Sequence, residues 1–179
     1  MSNDCFKIIA CYILSLLLFL NEDLKAQKSI PDLDYAFRIG AGDEDIANSI
    51  AIDQFNNTYI TGSFSGFTAV DFDPSTSNSF NMLPNNQTNN NFYLAKYSSS
   101  GAFLWATQLG SQPGSSVGKK VLVDKRGLIY VIGEYSGTGL FDLDPSSNTF
   151  TVNGNYYENI FISVFDNNGN FIDGAGIDS

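Results

Sequence analysis

The chain has 179 residues, with 9 Lys+Arg against 19 Asp+Glu, a net charge of -10, no His and two Cys. That balance excludes a nucleic-acid partner, whose phosphates need a Lys/Arg surface, and the missing imidazole removes the commonest general base and metal ligand. At 43% hydrophobic and 14% aromatic there is apolar material for one domain, with a bias toward strands.

Residues 7–20, KIIACYILSLLLFL, form an apolar run that opens on Lys7, and NEDLKA follows, ending on the small residue Ala26. This reads as a secretory signal peptide over residues 1–26 with cleavage before Gln27, since the run from Ile8 to Leu20 is short for a bilayer span. IIAC is no lipidation box, because the apolar core continues after Cys11 instead of preceding it. Cys5 and Cys11 leave with the signal, so the exported chain has neither disulfide nor thiol chemistry. The expected location is outside the cytoplasm, secreted or at the cell surface.

Residues 27–45 form a leading segment. Its YAFRIG, residues 35–40, matches WATQLG at 105–110 and predicts one strand of the outermost type. A longer repeat follows. IANSIAIDQFNNTYITGSFSG, from residue 46, pairs with VGKKVLVDKRGLIYVIGEYSG at an offset of 71. NFYLAKYSSSGAFLWATQLGS then pairs with NIFISVFDNNGNFIDGAGIDS at an offset of 68, the second copy having a shorter middle loop. The copies occupy residues 46–110 and 111–179. Repeats of this kind mean stacked or radial units, each unable to bury its faces alone.

Within the first copy the β-type runs are SIAID, TYITGSF, FYLAKYS and AFLWATQL; in the second they are KVLVD, IYVIGEY, FISVFD and NFIDGAGI. Four turns share one chemistry: Asp53 to Asn56, Ser98 to Gly101, Asp124 to Gly127 and Asp166 to Gly169. The first side chain bonds the backbone two residues on, and Gly or Asn at the fourth place takes the positive φ of a bulged hairpin. Two hairpins per copy make a four-stranded antiparallel meander, and no stretch after the signal has sustained helical periodicity. The last run, FIDGAGI, sets Asp173 where the first copy has Trp105 and Gly174 where it has Ala106, which predicts a weak final strand.

The fold expected is therefore all-β: two four-stranded propeller-type blades, a partial β-propeller. SIAIDQFNNTYITGSFSG with VDFDPS and FYLAKYSSSGAFLWATQLG, and their second-copy counterparts, resemble the SBBP-type (seven-bladed β-propeller) repeats of secreted bacterial proteins. The resemblance spans residues 35–179 and implies a propeller, an extracytoplasmic location and no family-wide catalytic activity.

Between the second and third runs of each copy lies an Asp-x-Asp-Pro phrase, Asp71-Phe-Asp73-Pro74 and Asp142-Leu-Asp144-Pro145. The carboxylates of Asp71 and Asp73, or Asp142 and Asp144, share a face in extended chain, and Ser75, Asn78, Ser146 and Asn148 add oxygens; that composition suits Ca²⁺. The structural reading needs less. Asp before Pro stops a strand, the side chains cap nearby N–H groups, and Phe72 or Leu143 pins the loop from the opposite face. No cofactor is required on that reading.

Lys119, Lys120, Lys125 and Arg126 read as a solvated rim in preference to an anion site, and Trp105, Tyr59, Tyr130 and Phe103, which could stack sugars if exposed, read at alternating strand positions as packing between blades. NMLPNNQTNNNF is a loop without a mechanism. The function expected is a non-catalytic secreted or surface-associated binding or scaffold module. Its partner would be a protein or a glycan, with self-association or a partner chain completing the propeller. The alternative is a carbohydrate-active or metal-dependent hydrolase working through the acidic loops.

Overall fold

In a computed structural model of the chain, residues 35–41, 43–110 and 113–177 are described. The expected signal peptide with both cysteines, and residues 27–34 of the leading segment, lie outside them. Every regular element among the described residues is a strand: β1 (Asp45–Ile52), β2 (Thr58–Phe64), β3 (Val70–Asp71), β4 (Asn81–Met82), β5 (Asn91–Tyr97), β6 (Phe103–Thr107), β7 (Ser115–Val123), β8 (Ile129–Ser136), β9 (Gly139–Asp142), β10 (Thr151–Gly154), β11 (Asn159–Phe165) and β12 (Phe171–Ile177). The protein is all-β, as composition and turn spacing predict.

Two antiparallel sheets repeat one pattern, β1-β2-β5-β6 and β7-β8-β11-β12. Each is a propeller-type blade. The stretch between its second and third strands forms a small hairpin of its own, β3–β4 or β9–β10, where the spacing of the β-type runs predicts a loop. Register shifts recur at matched places: Ala47/Ser49 with Gly118/Lys120, and Lys96/Tyr97 with Val164/Phe165. Such bulges sharpen local twist, so the two blades share curvature as well as strand order.

The four turns close as their residues dictate. Asn56, Gly101, Gly127 and Gly169 take φ of 62°, 80°, 82° and 83°. At the first place, Asp53 Oδ1 accepts the amides of Phe55 and Asn57 at 2.8 and 2.9 Å, and Asp124 and Asp166 repeat this with the residues two and four ahead. Burial pushes the carboxyls of Asp53 and Asp166 up, but the Asn57 and Asn170 side chains, with the backbone amides, outweigh it and hold both below the usual value.

The core lies in two layers. Tyr59, Phe92, Leu94 and Leu109 of the first blade pack against Val121, Val131, Tyr135, Phe141, Phe161 and Phe165 of the second. On the first blade's other side, Phe64, Val70, Phe72, Tyr93 and Tyr97 are covered by Phe37, Ile39 and Ala41 of the leading segment. That segment is not a strand. An outermost strand needs a ladder neighbour, and none for residues 35–41 stands among the described residues; side-chain packing holds it, with Phe37 4.6 Å from Tyr97 between ring centres, together with hydrogen bonds between Tyr35 Oη and Thr58 Oγ1 and from the Ala41 amide to Asp45 Oδ2.

Candidate functional site

Both Asp-x-Asp-Pro loops are built by the same hydrogen bonds. Asp71 Oδ1 accepts the amides of Asp73 and Phe80 at 3.0 and 2.8 Å; Asp142 Oδ1 accepts those of Asp144 and Phe150 at 3.1 and 2.9 Å. Asp73 and Asp144 each receive the amide two residues on, from Ser75 and Ser146, at 2.9 Å. Ser75 and Ser146 in turn accept from Asn78 and Asn148. The strands end at Asp71 and Asp142, and Phe72 and Leu143 are fully buried beneath the loops. Asx-turn chemistry accounts for the phrase and for its repetition. Among the described residues, no group of three or more carboxylate, imidazole or thiolate side chains converges as a metal site would.

What the sequence did not disclose is where these loops sit. The Asp144 loop, the β11–β12 turn at Asn168–Asn170 and residues Trp105–Thr107 of the preceding blade enclose a groove of about 420 Å³. The Asp73 loop, the β5–β6 turn at Ser100–Ala102 and Tyr35–Phe37 enclose a matching groove of about 360 Å³. In each, an aromatic ring lies on the turn glycine. A Cβ on Gly169 would come within 3.0 Å of the Trp105 ring, and one on Gly101 within 2.7 Å of the Tyr35 ring. The YAFRIG and WATQLG likeness is thus a likeness of position: both segments wall a groove against the next blade.

The blade–blade junction holds one buried cation. Lys96, 4% exposed, donates to the backbone and side-chain oxygens of Asn167 at 3.1 and 2.6 Å and lies 5.1 Å from the centre of the Tyr59 ring. Tyr59 Oη donates to Asn167 Oδ1, and Trp105 Nε1 to the Asn167 carbonyl. Burial lowers the Lys96 pKa, with Asp53 and Asp166 opposing it. Its counterpart in the second blade is Val164, so this lock belongs to one junction only.

Other sequence candidates are resolved in place. Tyr59 is buried between the blades and Trp105 packs edge-on to it at 6.2 Å, while Phe103 packs within the first blade against Tyr97 and Phe80. Tyr130 stays on the outward face of the second blade, hydrogen-bonded by Arg126. Lys119 pairs with Glu134 at 2.7 Å and Arg126 with Asp124 at 2.8 Å, both at the rim. The Asn-rich loop bonds largely to itself: Asn91 Nδ2 donates to the carbonyls of Asn86 and Asn89, and Asn85 straps the carbonyls of Leu109 and Gly110.

Two antiparallel meanders with matched bulges, turns and loops define a propeller-type repeat module. Residues 35–63 match the family model of the SBBP beta-propeller repeat. The matched unit starts at Tyr35, the groove-walling segment, and runs through β1 into β2. The chain is also similar to an uncharacterized WD repeat-containing protein of Acanthamoeba polyphaga mimivirus, 29% identical over 127 residues that make up 68% of this chain. It spans only 9% of that relative's length. No solved structure matches the chain.

Proposed function

We propose that the chain is an exported, secreted or surface-associated module without catalytic activity, whose work is binding, and that its main docking surface is the outward face of the second blade. One observation carries this reading. Leu122, Ile132, Ile160 and Ile177 are exposed by 52%, 39%, 43% and 53% on that face, whereas Phe92 and Leu109, at the places of Ile160 and Ile177 in the first blade, are buried against a neighbouring blade. Exposed Leu and Ile side chains gathered on one sheet face, with Lys120 and Glu134 among them, mark a contact site, because each Å² of apolar surface left in water forgoes about 25 cal/mol.

The occupant of matching shape is another blade-type sheet, from a second copy of the chain or from a partner chain. Ile50 and Ile52, 61% and 62% exposed on the first blade's other side, offer the complementary surface for a head-to-tail arrangement. The absence of catalysis is supported by the loops themselves. One oxygen of every carboxylate in them is engaged by backbone amides, and both copies repeat the same bonds, so the loops are accounted for by their structural role. Export rests on the apolar run before Gln27.

Sedimentation of the exported chain at micromolar concentration tests the docking surface. A discrete oligomer is expected, converted to monomer by Ile132→Glu with Ile160→Glu. A stable, cooperatively melting wild-type monomer would overturn the self-association, and turnover of any substrate in a glycosidase panel would overturn the non-catalytic reading.

A further inference from the structure

From the groove between Trp105, the Asp144 loop and the β11–β12 turn, we infer that the second blade carries a saccharide-binding site, independent of the docking face. The groove volume, about 420 Å³, lies in the range of small-ligand sites. Its key group is Asp144. The residue is 7% exposed, its Oδ1 accepts the Ser146 amide, and Oδ2 has no protein hydrogen bond among the described residues although the residue lines the groove. Beside it stand the carboxamides of Asn148 and Asn168, whose side chains likewise make no protein hydrogen bond among the described residues.

The wall is aromatic and held in place. Trp105 lies against Gly169, donates from Nε1 to the Asn167 carbonyl at 3.2 Å, and meets the edge of Tyr59. An ordered ring next to one accepting carboxylate oxygen and two amides, each both donor and acceptor, suits a ligand with several adjacent hydroxyls and a C–H face.

Competing chemistries fit less well. No Lys, Arg or His lines the groove, which disfavours an anion. Bidentate pairing with a guanidinium is blocked, because Oδ1 is already taken by Ser146. Calcium asks for six to eight oxygens, and one carboxylate faces this space. The first groove keeps Asp73 and Asn78 but has Ser100 and Ala102 where the second has Asn168 and Asn170. It offers fewer hydrogen bonds and is the weaker of the two.

Trp105 is the sole tryptophan of the chain, so its emission reports this groove and not its twin. The probes are the methyl glycosides of glucose, galactose, mannose, N-acetylglucosamine and fucose. At least one should shift the emission saturably, with a Kd of order 1 mM, as expected for a small polar ligand. Asp144→Asn, which keeps the Oδ1 acceptor for the loop, should weaken that response by about tenfold through loss of a charge-assisted bond. Asn148→Ala removes a side chain that does no structural bonding and should weaken it too, while Asp73→Asn should leave it unchanged. Absence of any saturable response to all five glycosides overturns the inference. So does a response to arginine methyl ester or calcium chloride in place of the sugars, or a sugar response equal in Asn148→Ala and wild type.

Discussion

Phe92 and Ile160 stand at the same place in the two blades, on the third strand, facing the same way round the repeat. Phe92 is fully buried against the second blade, its ring 5.6 Å from that of Phe161; Ile160 is 43% exposed. The contrast runs along whole strands. All seven residues of β5 are buried, whereas β11 is buried at every other residue. A blade is a sheet with two apolar faces, and only a neighbour makes both interior. The first blade has the second blade on one side and, over part of the other, the leading segment, which leaves Ile50 and Ile52 exposed; the second blade has one covered face among the described residues.

The largest expected effect tests that contrast. Phe92→Ala should cost about 3–5 kcal/mol in chemical denaturation, the range for an aromatic lost from a packed core. Ile160→Ala should cost about 0.5 kcal/mol or less at dilutions where the chain is monomeric and the face meets water. Equal losses at the two places would mean that the outward face of the second blade is covered in solution.

Turn glycines sharpen the comparison at a second pair. Gly127 and Gly169 have φ of 82° and 83°, but a Cβ on Gly127 would meet nothing nearer than 3.7 Å, whereas one on Gly169 would meet the Trp105 ring at 3.0 Å. Asn56 already occupies the corresponding place in the first blade at φ 62°. Gly127→Asn should therefore shift the melting temperature little, and Gly169→Asn should cost about 1–3 kcal/mol through displacement of the ring. A similar loss from both would locate the strain in the backbone alone.

Ser163 and Ala95 form a third pair, both fully buried. The Ser163 hydroxyl has no hydrogen-bond partner among the described residues, and the first blade has a methyl at that place. Ser163→Ala should raise stability by about 1 kcal/mol, since an unsatisfied buried hydroxyl is removed at nearly constant shape. Destabilisation on calorimetric melting would mean that the hydroxyl has a partner in solution.

The smallest effect concerns pH. Asp53 and Asp166 have carboxyls held below the ordinary aspartate value of 3.8, so their contribution is present above that pH and is lost as pH falls through their folded values. Melting temperature should drop on acidification below about pH 4, and less steeply in Asp53→Asn with Asp166→Asn. An unchanged slope would assign the acid sensitivity to other carboxylates. Calcium should leave melting unaffected at neutral pH, and a calcium-dependent rise lost in Asp71→Ala and Asp142→Ala would restore the metal reading of the loops.

Much of this architecture is legible in particular residues. Asp53, Ser98, Asp124 and Asp166, each followed by Asn or Gly three places on, set the hairpins because those side chains and φ values act within a few residues. The alternation in TYITGSF and IYVIGEY set the strands for the same local reason. FIDGAGI reads as a weak strand, and β12 pairs with β11 at every residue but Ile172, where a bulge falls; a Cβ on Gly176 would meet Val152 of the β9–β10 hairpin at 2.8 Å, so that glycine makes room for a neighbour the local sequence does not reveal.

The sequence by itself determined the all-β class, the two-fold repeat and the self-capped Asp-x-Asp-Pro loops, because strand period, turn φ and Asx bonding are short-range. Only the tertiary structure decided which faces are buried, that Lys96 ends on Asn167 of the next blade, and that Trp105 and Asp144, nearly forty residues apart, wall one groove. Those outcomes depend on how one blade is set against the next. Matched residues in two copies carry no mark of whether a neighbour is present, so identical local chemistry yields an interior in one blade and a surface in the other.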